Sequence, residues 1–359
     1  MKLFNKKFHS KLLYIFLIIQ SLIIFFFSTI NSEGKSFDIS NIDISTPFEM
    51  NFNKNEVINA GFKKAFFELI ALIVKSSDQE KIKDISLNEI KGMVESFSIQ
   101  EEKFVDEVYY VNLGVSFNRK KIFNFLERKN IFPSLPLKKK LLFIPILIDE
   151  SKNDLLIFSN NLIFDEWNNH IESFHLIEYI LPTEDLEDLN IIKKKFDFIE
   201  QYDFKEIIDK YYLDDSIIVL IFKNKNELRI LSRINIKDNL ILKNETFEGM
   251  NINNSQQNKD LIMKLKTAYE DYWKNSNQIN TSIKLLLNIK VKNNDNSKLS
   301  KFENTLDTTD SISDYLIYKI DKDFTQYQII FNGTSDIFLK SMKAQEYNFN
   351  TLNKIWILE

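Results

Sequence analysis

From residue 57 to residue 358 the spacing of apolar side chains switches back and forth between the helical period and the strand period. A chain written that way closes as helices packed on sheets, because each element has one apolar side to bury against another layer. Val57, Ala60, Gly61, Ala65, Phe66, Leu69 and Ile73 make a broad helical face. Residues 108–117 then alternate as a strand, and Asn118 is placed to cap a helix that buries Ile122, Phe123, Phe125 and Leu126. Ser86-Leu87-Asn88-Glu89 has capping-box spacing and opens a helical turn toward Met93 and Phe97, and Ser77-Asp78-Gln79-Glu80 shows the same spacing. The expected class is mixed α/β and α+β.

Ahead of this pattern, Lys2, Lys6, Lys7 and Lys11 run into an apolar block over residues 12–30. The positive flank holds the N-terminus on the cytoplasmic side and sends the rest across the membrane. The length of the block suits a retained transmembrane anchor. Gln20 and Ser21 interrupt it, and Ser32-Glu33-Gly34 places small residues where a signal peptide is cut, which suits cleavage. Either way the remainder is expected in the periplasm, soluble after cleavage or anchored in the inner membrane through residues 12–30.

The expected organisation is an export segment over 1–34 and a linker over 35–50, a stretch that also reads as a loose first strand, followed by three modules. The N-terminal α+β module covers 51–133, the central α/β module 138–278 and the last module 280–359. The run at 141–148 reads as a strand covered on both faces, with Pro145 marking an edge or bulge. Helices are expected near 164–174 and 202–212, with Thr183 starting another, then strands at 216–222, 227–234 and 240–247 and a long amphipathic helix over 256–273. Residues 283–291, 298–306, 311–320, 324–331, 335–345 and 347–358 read as β-α-β-β-α-β, the ferredoxin-like order. Asp321-Lys322-Asp323 supplies its hairpin turn, and Thr334 its second helix cap.

With 359 residues, 44% hydrophobic and 27% charged, the chain can bury several cores. A net charge of −4 gives no basic field for nucleic acid, and Lys138-Lys139-Lys140 and Lys193-Lys194-Lys195 read as solvated flanks. The absence of cysteine excludes disulfides, thiolate metal sites, a thiol nucleophile and a lipid-modified cysteine anchor.

Chemistry finds little to stand on. His170 and His175 are five residues apart, so they do not share a helical face as metal-binding pairs at spacing four do, although Glu172 and Glu178 are close in sequence. Glu184, Asp185, Glu187 and Asp188 offer paired carboxylates, but acids in a helix's first turn complement its dipole. Gly61, Gly92, Gly114, Gly249 and Gly333 are isolated and form no phosphate loop. Tyr109-Tyr110, Tyr211-Tyr212, Trp167, Trp273 and Trp356 read as packing rather than a sugar platform, with one tyrosine of each strand pair inside and one outside. No catalytic, cofactor-binding or metal-ligating residue is assigned, and no cofactor or small-molecule ligand is expected.

Several phrases follow one another in order along the chain: the helix with Ala60 and Ala65, the strand Val111-Asn112-Leu113-Gly114-Val115-Ser116-Phe117, Ile122-Phe123, and Leu126-Glu127-Arg128-Lys129-Asn130-Ile131-Phe132-Pro133. The apolar strand from Leu141, Leu181-Pro182 with Asp185-Leu186 and Asp188-Leu189, and Tyr211-Tyr212-Leu213-Asp214-Asp215 complete the set. Together, over residues 45–250, they resemble the bacterial domain-of-unknown-function family 2066. The resemblance implies an exported envelope protein of a Gram-negative bacterium and brings no catalytic residues with it. The expected function is non-enzymatic: an assembly, scaffold or accessory factor acting on an envelope protein partner. The alternative is a periplasmic hydrolase or carbohydrate-binding protein whose site is assembled from distant residues.

Overall fold

The computed structural model describes residues 36–225 and 227–359, and the chain is mixed α/β, with helices packed on three sheets among the described residues. The expected export segment, 1–34, lies outside the described residues. No helix among them is long and apolar enough to cross a membrane.

The first unit contains β1 (Ser36–Pro47), α1 (Lys54–Ile73), α2 (Ser76–Gln79), α3 (Leu87–Met93), β2 (Val94–Val105), β3 (Val108–Asn118) and α4 (Arg119–Arg128). Its antiparallel sheet runs β1-β3-β2. Of the two readings of the stretch after the export segment, linker or loose first strand, the strand forms as β1, because Phe37, Ile39 and Ile42 add to the core beneath α1. Asn41, at φ 61°, bulges the strand and breaks the alternation that would have shown it. β2 replaces the helical continuation expected toward Phe97: α3 stops at Met93, and the chain turns into a hairpin with β3. The Ser86 capping box forms with Glu89, and Asn118 caps α4 by accepting from the Lys121 N–H. The pattern at Ser77 makes no cap; α2 begins one residue earlier without a side-chain bond.

The second unit contains β4 (Lys139–Asp149), β5 (Asp154–Leu156), α5 (Leu162–Trp167), β6 (Ile177–Ile180), α6 (Leu186–Lys194), α7 (Lys205–Ile208), β7 (Ser216–Asn224), β8 (Glu227–Ile236), β9 (Asn239–Glu248) and α8 (Ser255–Ser276). Its sheet runs β5-β4-β7-β8-β9, with β6 parallel to the start of β4. β4 and β7 are parallel and buried on both faces, under two separate cores. Pro145 is tolerated inside β4 because β6 and β5 pair with its two ends and leave a gap at the proline, where Asn161 Nδ2 donates to the Pro145 carbonyl at 3.1 Å. The helices expected at 164–174 and 202–212 shrink to α5 and to α7 with a following 3₁₀ turn, and Asp185 rather than Thr183 caps α6.

The last unit contains β10 (Lys284–Lys292), α9 (Asn296–Thr308), β11 (Ile312–Ile320), β12 (Phe324–Asn332), α10 (Ser335–Lys343), β13 (Phe349–Asn350) and β14 (Trp356–Leu358), with sheet order β11-β12-β10-β14-β13. Asp321 closes the hairpin turn by accepting from the Asp323 and Phe324 N–H groups. Thr334 precedes α10 without a side-chain cap bond. The single final strand expected over 347–358 is instead two short strands. The chain passes along the edge as β13 and returns as β14, parallel to β10.

Candidate functional site

The residues weighed as chemistry fall into three places. His175 sits beside α8, and its Nδ1 accepts the Glu172 N–H at 3.2 Å. Burial, then the charges of Lys266 and Lys274, push its imidazole down to about 4, so it is neutral at ordinary pH. His170 Nε2 is 3.7 Å from Glu166, while its backbone carbonyl accepts from Lys266 Nζ at 2.7 Å. Among the described residues no three His, Asp or Glu side chains converge to hold a metal. Trp167 and Trp273 are core residues, and Trp167 stacks on Phe143 at 3.8 Å.

The acids at the start of α6 are clamped. Lys210 Nζ reaches Asp188 at 2.6 Å, Glu187 at 3.2 Å and Asp185 at 3.3 Å, and these partners raise the pKa of its ammonium. Asp185 is held below the usual carboxylate range by the Glu187 N–H and by Lys210, and Glu184 likewise by Ser159. A glycosidase acid needs a carboxyl raised toward neutrality. Asp185 and Glu184 are shifted the other way, Asp185 as the cap of α6 and Glu184 through its bonds to Ser159, so neither suits that role. The neighbouring apolar cavity against Pro145, Phe158 and Asp188 has a volume of about 10 Å³, room for at most one water.

Among the described residues, the first unit holds two concavities, one on each side of β1. A cleft of about 370 Å³ lies between the end of β1 and the first turn of α1, among Ser45, Pro47, Phe52, Asn53 and the acids Glu49 and Glu56. On the opposite face, about 240 Å³ opens among Asp43, Ser45, Glu101, Lys103, Tyr110 and Asn112. Tyr109 points into the core and Tyr110 into this hollow. The hollow's groups largely satisfy one another. Asn112 Nδ2 donates to Asp43 at 2.7 Å and Lys103 pairs with Glu101 at 3.3 Å, leaving the buried Asn112 Oδ1 as an unpartnered acceptor. One acceptor and one ring face are fewer convergent groups than a small-molecule site uses.

Beside the cleft stands a feature that no sequence motif announced. The loop after β1 and the β2–β3 turn meet where the Phe48 N–H donates to the Glu107 carbonyl at 2.7 Å. The Phe48 ring lies 4.8 Å from Phe104 and 4.7 Å from Phe52, and Phe52 lies 4.9 Å from Tyr109. Phe52 and Tyr109 root the cluster in the core, while Phe48 is 50% exposed, Phe104 55%, Val105 46% and Met50 fully. Scattered exposed apolar residues are ordinary, whereas here two large ones, Phe48 and Phe104, are exposed in ring contact. No family model and no curated protein matches the chain.

Proposed function

We propose that the chain is an exported envelope protein that acts without catalysis, as an assembly or accessory factor, and that the tip formed by Phe48, Met50, Phe104 and Val105 is its contact with a partner protein. The carrying observation is that tip: Phe48 and Phe104 exposed in ring contact, with Met50 and Val105 exposed close by in sequence, backed by half-buried Phe52 and buried Tyr109 and flanked in sequence by Glu49, Asp106 and Glu107. Aromatic and Met side chains within a polar rim are the composition of protein interfaces. The acidic border disfavours an anionic membrane surface as the occupant.

The export assignment rests on the basic flank and apolar block over residues 2–30. The proposed kinship with family 2066 rests on the order α1, β3, α4, β4 carrying the quoted phrases. For the last unit we propose a variant of the split β-α-β-β-α-β arrangement, in which the added β13 reverses the final strand.

The test is a photo-crosslinking amino acid at Phe104 in cells, with Lys322 in the β11–β12 turn as the control position. A discrete adduct at 104 that is absent at 322 and lost in a Phe48→Ser/Met50→Ser background is expected. Equal labelling at both positions would sink the assignment of the tip.

A further inference from the structure

The free edges of the three sheets are not alike. β1 carries a bulge at Asn41, ends in Pro47, and has its Asp43 carbonyl taken by Lys64 Nζ at 2.9 Å. β2 and β11 each carry two register shifts. Bulges, proline and lysine are the devices by which proteins blunt an edge against another chain. β9 carries neither bulge nor proline, and its one lysine, Lys243, is paired with Glu245 of the same strand. It is ten residues long and pairs one for one with β8 without a shift. Among the described residues no backbone group outside β8 bonds to it. Leu240 and Leu242, 61% and 63% exposed, stand on its open face.

We infer that this edge pairs with the same edge of a second copy of the chain, antiparallel about a twofold axis through Asn244. In that register Lys243 faces the copy's Glu245 and Glu245 faces the copy's Lys243, giving two opposite-charge pairs on the α8 side. Ile241 and Phe247, which pack at that side of the sheet, face each other twice. On the open side Leu242 meets Thr246, and the two Asn244 amides meet at the axis. Neighbouring registers fail. A twofold through residue 243 sets lysine against lysine, and one through 245 sets glutamate against glutamate, which like-charge repulsion disfavours. Lys243 and Glu245 already pair within the strand at 3.2 Å, so both charges are held on the required side. Lys264 Nζ lies 4.3 Å from the centre of the Phe247 ring and fixes it there. The contact is isologous and closes at two copies. It is separate from the aromatic tip and does not depend on its partner.

The chain has no cysteine, so a single introduced one reports cleanly. With the full chain in detergent micelles, Asn244→Cys is expected to give a disulfide-linked dimer under mild oxidation. Residues opposed across an antiparallel pair lie about 4.5–5.5 Å apart at Cα, within disulfide reach. Leu240→Cys is expected to stay uncrosslinked, because its two copies lie about 27 Å apart in this register. Lys243→Glu should weaken association about tenfold by light scattering, and adding Glu245→Lys should restore it. Crosslinking at 240 as fast as at 244, no crosslinking at either, or a mass unchanged by Lys243→Glu would overturn the inference.

Discussion

Glu270 offers the sharpest test of how the central unit is held. It lies on the buried side of α8, 3% exposed, and one carboxylate oxygen accepts the Leu176 N–H at 3.0 Å and the Ile177 N–H at 2.9 Å. Those donors open β6, and Leu176 and Ile177 are themselves buried. Glu270→Ala leaves two buried N–H groups without an acceptor, at about 1–3 kcal/mol each. It also strips Lys266 and Lys274, both buried on the same helix, of the carboxylate between them. The expected loss is about 3–6 kcal/mol, a large part of a domain's stability.

Glu270→Gln behaves differently. Its carbonyl oxygen can keep both acceptor contacts, and it removes a carboxylate whose pKa burial pushes up, so a change of about 1 kcal/mol in either direction is expected. Urea unfolding followed by tryptophan fluorescence suits the comparison, because Trp167 and Trp273 sit in the same core. Equal losses for the two variants would show that the charge, rather than the paired acceptor, holds β6. A loss under about 1 kcal/mol for the alanine variant would refute the argument outright.

Two further outcomes follow from α1 and α8. A Cβ on Gly61 would stand 2.3 Å from Leu113 Cδ1, which is fully buried, whereas one on Gly92 in α3 meets nothing within 4 Å. Gly61→Ala should therefore destabilise by about 1–2 kcal/mol despite alanine's helix propensity and lower the thermal midpoint, and Gly92→Ala should stabilise by up to about 1 kcal/mol and raise it; a rise for both would refute the close approach of α1 to β3. Burial brings the Lys266 ammonium from its ordinary 10.5 down to about 8, against the opposing pull of Glu270 and Glu172. The unfolded chain then binds the extra proton between those values, so stability rises as pH climbs from about 8 to about 10.5. The gain is about 1–2 kcal/mol after allowance for solvent screening, and Lys266→Met should remove that slope from denaturation midpoints.

Elements whose signal is local were legible in the sequence. Ser86 with Glu89, Asn118 before α4, Asp321 in its turn and the apolar stripe of α8 each act over a few residues, and the spacing shows them. β2 was not legible because nearly every side chain along it is exposed, so no alternation marks Glu95, Ser96, Gln100 and Glu101 as a strand. Its pairing with β3 is the tertiary term that overrides propensity. The aromatic tip was hidden for a related reason. Phe48 and Phe104 are far apart in sequence, each reads as an isolated apolar residue, and the pairing of both β1 and β2 with β3, extended by the Phe48–Glu107 backbone bond, brings them together.

The same distance in sequence conceals what joins the first two units. Residues 134–137 fall between the expected first and central modules, yet this segment is pinned on both sides. The Ser134 N–H donates to the Ile73 carbonyl at 2.8 Å, Ile279 N–H to Pro133 at 2.8 Å, and the Trp273 indole to Leu137 at 2.6 Å. The end of α1 carries carbonyls that its own helix cannot satisfy. Lys274, at the end of α8, donates its ammonium to the Ala71 and Val74 carbonyls, while Asp271 accepts the Ser76 N–H at 2.8 Å. A buried ammonium is costly unless it is bonded, and so are the free carbonyls of a helix end once they are taken out of water. Placed against each other, each supplies what the other lacks. The two units thus meet through a buried polar joint, whereas the last unit meets the first through partly exposed pairs such as Lys120–Asp314 and Lys284–Glu127, which salt screens far more readily.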